Sequence, residues 1–178
     1  LHDALPIFPK QDNFDRQIIF PQERRVFEIK QYESYAERNK QISCLQKNVY
    51  FEAAVESTAG KLAVAHVTYN RVRNKYFPDN FCDVVYQGKH YASGHPKRDR
   101  CQFSLYCDGK HDVPYPGPTW KSTQELATWF YDNKDTIKDI TDGALYYHAD
   151  YIPDPRWAVS KKTQKTVQID THIFYARK

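Results

Sequence analysis

A chain of 178 residues with 40% hydrophobic and 15% aromatic side chains can build the core of one globular domain, which excludes a disordered or low-complexity polymer. No stretch approaches the roughly 18 to 20 apolar residues of a membrane span; the best, Leu62 to Val67, is interrupted by His66. The net charge of +4 comes from 26 basic and 22 acidic side chains with the two signs interspersed, a mild surplus that names no partner. The chain starts with Leu and contains no Met, so it reads as a processed or truncated product whose true N-terminus is missing, which leaves room for a removed export signal.

Residues 1–9 have no periodic pattern and are assigned no function. Pro21 followed by Gln-Glu-Arg-Arg predicts a helix start, with proline at the first helical position and an acid in the first turn. Apolar residues then recur at three-and-four spacing, at Val26, Ile29, Tyr32 and Tyr35 and again at Ile42, Leu45, Val49 and Ala53, which predicts one long or two consecutive helices over roughly 22–56. Ser57 to Gly60 breaks the run, and a second helix to about Lys75 completes a helical hairpin. Residues 76–119 hold five of the ten prolines and four of the six glycines with no sustained period, which predicts a long ordered loop of the kind that carries function. Ser122-Thr123-Gln124-Glu125 reads as a capping box opening a third helix that ends near Asn133-Lys134. Short β-branched and aromatic strands follow at 144–148, 166–169 and 172–175. The class is therefore α+β, with residues 1–35 as a partly helical extension and 36–178 as the main domain.

Glu52 and Glu56 are four apart, on one face of the predicted first helix. Glu52 sits three residues past the apolar Val49 and between Phe51 and Ala53, at the edge of the buried stripe. A carboxyl group there loses hydration, which favours the protonated form that a general acid needs. The four cysteines, Cys44, Cys82, Cys101 and Cys107, permit two disulfides in three connectivities and match no zinc or C-x-x-C spacing. The seven histidines include no H-E-x-x-H pair, no G-x-S-x-G elbow is present and there is no glycine-rich phosphate loop, so no metal and no cofactor is expected.

The stretches Asn48-Val49-Tyr50-Phe51-Glu52-Ala53-Ala54-Val55-Glu56-Ser57, Gly60 to Ala65, Asn70-Arg71-Val72, Phe77-Pro78, Cys82 to Gln87, Cys101-Gln102-Phe103-Ser104, Cys107-Asp108-Gly109, Gly143 to Ala149 and His172 to Tyr175 resemble, in this order, the motifs of the SleB-type cell-wall hydrolases, the spore-cortex-lytic enzymes. The resemblance runs from about Ile42 onward. It implies a lysozyme-like domain acting on the glycan strands of peptidoglycan, with lytic transglycosylase chemistry in the best-known members. The family's catalytic glutamate falls on Glu52, and the second glutamate of its N-x-x-x-E-A-R-G-E motif falls on Glu56, taken as its support or as an alternative acid. Where the family carries Arg-Gly, this chain has Ala54-Val55, which removes an ion pair to Glu56 and predicts a more regular helix end.

A lytic transglycosylase needs one carboxyl group, whereas ordinary glycosidases use two. The expected function is cleavage between N-acetylmuramic acid and N-acetylglucosamine by Glu52 alone, with Asp108 as the second carboxylate if the enzyme is instead a muramidase; a catalytically inactive wall-binding module is the reading from another class, and a zinc amidase a third. Tyr50, Tyr86, Gln87, Gln102, Phe103, Asp108, Tyr146 and His148 have the chemistry to bind sugars, and strand alternation turns Tyr146 with His148 toward the groove, leaving Tyr147 with Leu145 on the other face. Asn70 and Arg71 are expected to pack and cap helices. Cys101 is expected to pair with Cys107 or with Cys82. The expected partner is peptidoglycan, with no nucleic acid, and the expected state is a monomer exported to the wall or periplasm, or a phage-encoded lysis enzyme.

Overall fold

The computed structural model describes residues 21–178. The assignment of residues 1–9, and of most of the 1–35 extension, lies outside the described residues. The chain divides into two units, Leu1–Ala36 and Glu37–Lys178. In the first, the described residues belong to helix α1 (Pro21–Ala53), and Val26, Ile29, Tyr32 and Tyr35 are exposed. Everything below concerns the second unit.

Of the one long or two consecutive helices expected, the structure has the single long one, and its Leu45, Val49 and Ala53 are fully buried. Helix α2 (Thr58–Val72) is the axis of the fold. Val64, Ala65 and Tyr69 face the α1 residues Leu45 and Val49 and, from further along the chain, Ala127 and Phe130; Ala63 and Val67 face Ala144 and Phe174 of the sheet side. Val72 reaches a third cluster around Val84, Val85, Phe103 and Leu105. With so many sides covered, every polar group on α2 needs a partner. The Thr68 hydroxyl accepts from Asn48 Nδ2 at 2.8 Å and donates to the Val64 carbonyl at 2.9 Å. Asn70 Nδ2 donates to Asp139 at 2.8 Å and to the Ala144 carbonyl at 3.1 Å, while Arg71 Nε donates to the Leu145 carbonyl at 2.8 Å.

The expected loop over 76–119 is largely structured. It contains the short helix α3 (Phe81–Val85), capped by the Asn80 side chain, the strands β1 (Gly88–His90) and β2 (Pro96–Cys101) in an antiparallel pair, and a single 3-10 turn over Ser104–Tyr106. These elements are too short to leave a period in the sequence. Helix α4 (Pro118–Asn133) begins four residues before the expected capping box, with proline in its first turn. Ser122 and Thr123 lie inside it and donate back to the Thr119 carbonyl at 3.0 and 2.8 Å.

The strands β3 (Tyr146–Ala149), β4 (Thr163–Ile169) and β5 (His172–Arg177) form an antiparallel sheet in the order β3-β5-β4, with Tyr147 opposite Phe174. The β4–β5 turn is tied to the α1–α2 junction. Ser57, the N-cap of α2, donates through N and Oγ to Asp170 Oδ2 at 2.9 and 2.6 Å, and Gly60 is required there because a Cβ would collide with that same oxygen. Two disulfides close the unit, Cys44–Cys82 and Cys101–Cys107. The pairing Cys101–Cys107 is one of the two expected; Cys82 joins Cys44 instead of Cys101.

Two predictions follow from this framework. Replacing Cys44 and Cys82 together by alanine opens a bridge spanning 38 residues and lowers the unfolding free energy in urea by about 3 to 4 kcal/mol, with the folded spectrum retained. His66, packed edge-on to Phe130 at 4.9 Å, and His172 are both held below the usual 6.5, chiefly by burial, against the opposing pull of Asp139 on the first and Glu56 on the second. The unfolded chain therefore binds more protons than the folded one just below pH 6.5, and stability, constant in this contribution above that pH, falls as the pH drops. The urea midpoint decreases from pH 7.5 to pH 5.5, and decreases less in His66→Gln; equal slopes in the two proteins would contradict this origin.

Candidate active site

Glu52 lies in the last turn of α1 and is half-buried. Its Oε1 accepts from the Ser104 amide at 3.1 Å and the Ser104 hydroxyl at 3.0 Å, and its Oε2 accepts from the Tyr147 hydroxyl at 2.9 Å. The Ser104 amide is free to do this because it belongs to the first residue of the 3-10 turn, where no intrahelical acceptor exists. The Cys101–Cys107 bridge closes the loop that carries this serine. The Tyr147 hydroxyl is pushed well above its usual 10, first by burial and then by the Glu52 charge and hydrogen bond, so it keeps its proton and remains a donor. Tyr147 packs against all three core clusters, and its ring meets His172 at 4.9 Å.

The carboxylate opens into a cleft of about 360 Å³ lined by Glu52, Arg71, Cys101, Gln102, Ser104, Cys107 and Tyr147. A second section of about 500 Å³ shares Arg71, Cys101, Gln102 and Tyr147 with the first and continues past Tyr146 and Trp157. Glu52 is the one carboxylate among the described residues that line either section. Arg71, expected to pack, does so with its guanidinium over the Phe103 ring at 4.7 Å, but it also lines both sections. Burial lowers its proton affinity, opposed by Tyr147, Tyr146 and Glu52, and an arginine keeps its charge.

The other expected residues are distributed more widely. Gln102 and Tyr146 line the cleft. Phe103 is a core residue, 2% exposed. His148 is buried and its Nε2 lies 3.1 Å from the Tyr175 hydroxyl, so of the expected pair Tyr146 lines the cleft and His148 does not, while Tyr147 from the other face reaches Glu52. The alternation itself holds, with Tyr146 and His148 both against Trp157 and Tyr147 against Phe174, but both faces of β3 are covered, so it does not tell which one reaches Glu52. Tyr50 stands edge-on to Trp120 and its hydroxyl accepts from the Tyr115 amide at 3.3 Å; Tyr86 packs on Tyr106, and Gln87 pairs through its carbonyl with the Gln102 amide at 2.9 Å. Asp108 Oδ1 accepts from the Lys110 amide at 2.8 Å, inside its own turn. Glu56 does not share a helix face with Glu52, since α1 ends at Ala53; its carboxylate accepts from the Thr171 hydroxyl and amide at 2.6 and 3.3 Å and holds the β4–β5 turn. Sequence reasoning missed Tyr147, Ser104, Arg71 and Trp157 as cleft residues; a serine among the five residues between Cys101 and Cys107 was the available signal. Among the described residues no group of three His, Cys, Asp or Glu side chains is placed to hold a metal ion.

This arrangement is similar to solved structures. The catalytic domain of the Bacillus cereus SleB protein is 26% identical, with 76% of this chain and 89% of that one covered and a TM-score of 0.53. The catalytic domain of the germination-specific lytic transglycosylase SleB from Bacillus anthracis is 28% identical over 75% of this chain and 92% of that one, with a TM-score of 0.49. No curated protein matches. The fold is thus the lysozyme-like α+β fold, and the class is that of enzymes acting on peptidoglycan. A family model described as Cell Wall Hydrolase matches residues 55–175, beginning three residues after Glu52, and the chain belongs to the cell wall hydrolase family.

Tyr147→Phe removes the donor to Glu52 Oε2 and leaves the ring in place. Its rate of clearing purified walls falls by roughly 10- to 100-fold, with the circular dichroism unchanged. Ser104→Ala keeps the amide donor and loses only a few-fold.

Proposed function

We propose that this enzyme cleaves the glycan strands of peptidoglycan between N-acetylmuramic acid and N-acetylglucosamine, as a lytic transglycosylase, with Glu52 as the single acid and base and residues 36–178 as the catalytic domain. The observation that carries the reading is that Glu52 is the one carboxylate among the described residues lining the cleft, with donors on both of its oxygens. The Glu52 carboxyl protonates the glycosidic oxygen as the C1–O bond breaks. The resulting carboxylate then takes the proton from the muramoyl 6-hydroxyl while that oxygen bonds to C1, closing a 1,6-anhydro ring. No water enters the product. Ser104 and Tyr147 hold the carboxylate in one orientation through both halves of the cycle, and Arg71 supplies a positive charge beside it.

A two-carboxylate muramidase would require Asp108 to reach the cleft, and its Asx turn with Lys110 argues against that. The natural setting of such an activity is the cell wall, outside the cytoplasm, where disulfides persist.

Mass spectrometry of soluble products from purified peptidoglycan separates these readings. Muropeptides ending in 1,6-anhydro-N-acetylmuramic acid, about 18 Da lighter than hydrolysed ones because no water is added, are expected. Glu52→Gln abolishes their release. Reducing muramic ends would establish hydrolysis, and full activity in Glu52→Gln would remove this glutamate from the mechanism.

A further inference from the structure

The larger section of the cleft is chemically unlike the part around Glu52. Its charged side chains are Arg71, Lys162 and Arg177, and no carboxylate among the described residues lines it. Arg71 is 4% exposed; its Nε is spent on the Leu145 carbonyl, and its Nη1 has no hydrogen-bond partner. The Arg177 guanidinium carbon lies over the Tyr76 ring, 4.3 Å from its centroid, a contact that holds the group without neutralising it. Tyr146 and Trp157, with ring centroids 5.5 Å apart, supply flat faces of the kind on which sugar rings stack. A buried guanidinium nitrogen without a hydrogen-bond partner is costly, and three cations around one concavity repel one another. Both costs are relieved by an anion.

We propose that this section is a subsite for a carboxylate carried by the glycan, so that the enzyme selects acid-bearing strands over uncharged β-1,4-linked strands. The proposal rests on the glycan-cleaving reading above and adds to it the chemistry that recognises the strand. The aromatic pair takes the sugar ring and the cations take its acidic substituent. Because the two sections share Arg71, Cys101, Gln102 and Tyr147, a sugar so bound lies next to Glu52. In peptidoglycan the carboxylate comes from the free lactyl group of a muramoyl residue or from a stem peptide attached to it.

The test is calorimetric binding to the Glu52→Gln protein of three tetrasaccharides: a muramoyl-containing one stripped of peptide, the same glycan bearing its stem peptides, and neutral chitotetraose. At least one acidic ligand binds about tenfold more tightly than chitotetraose, and the preference shrinks with added salt. The tighter of the two acidic ligands identifies the source of the carboxylate. Lys162→Glu, at an exposed position, and Lys162→Gln combined with Arg177→Gln reduce the acidic affinity at least about fivefold while chitotetraose binding stays the same. Equal affinity for acidic and neutral ligands, or equal weakening of both in the variants, overturns the subsite. Charge-selective binding by a protein whose wild type releases no glycan fragments from walls would overturn the lytic reading and leave the subsite standing.

Discussion

The structure depends on the burial of α2. A helix covered by α1 and α4 on one side, by the sheet on another and by the 81–107 segment near its end contributes residues to all three apolar clusters, and the polar groups it carries need partners. Those satisfactions are structural joints. Asn48 with Thr68 locks α1 to α2, Asn70 with Asp139 shapes the loop before the sheet, and Arg71 with the Leu145 carbonyl sets the height at which β3 begins. Since β3 carries Tyr147, the last joint also sets the position of the hydroxyl that meets Glu52.

Much of this was legible from the residues. The buried stripe Ile42, Leu45, Val49 and Ala53 revealed α1 because its period is long and unbroken, and the β-branched and aromatic runs revealed the sheet. Glu52 stood out as a carboxylate at the margin of that stripe, and the ordered motifs pointed to the same residue. The capping box at Ser122 misled because an earlier glycine and proline, Gly117 and Pro118, supplied a competing helix start. Glu56 misled for a related reason: helical spacing carries meaning only while the helix lasts. Arg71 could not be placed in the cleft from the sequence, because its contacts come from segments 30 to 75 residues away.

The acid and its supports come from three distant stretches of chain, α1, the cysteine loop and β3, and no two of them are neighbours in the sequence. Each is fixed by a different kind of force. Apolar packing holds the end of α1, a covalent bridge closes the loop bearing Ser104, and strand pairing aligns Tyr147 with Phe174. A carboxylate held this way has little freedom to rotate, which suits the acid and base role proposed for it.

The order of the strands has a consequence for synthesis. In the sheet β3 pairs with β5 alone, and β5 follows it by more than twenty residues. While the ribosome is still adding residues 150–171, the emerging β3 has no neighbour to hydrogen-bond, and Tyr147 has no platform from which to reach Glu52. The domain thus completes the surroundings of Glu52 late, by a long-range contact that a nascent chain cannot make. An unfinished chain is a protein whose Glu52 lacks one of its two hydrogen-bonded supports.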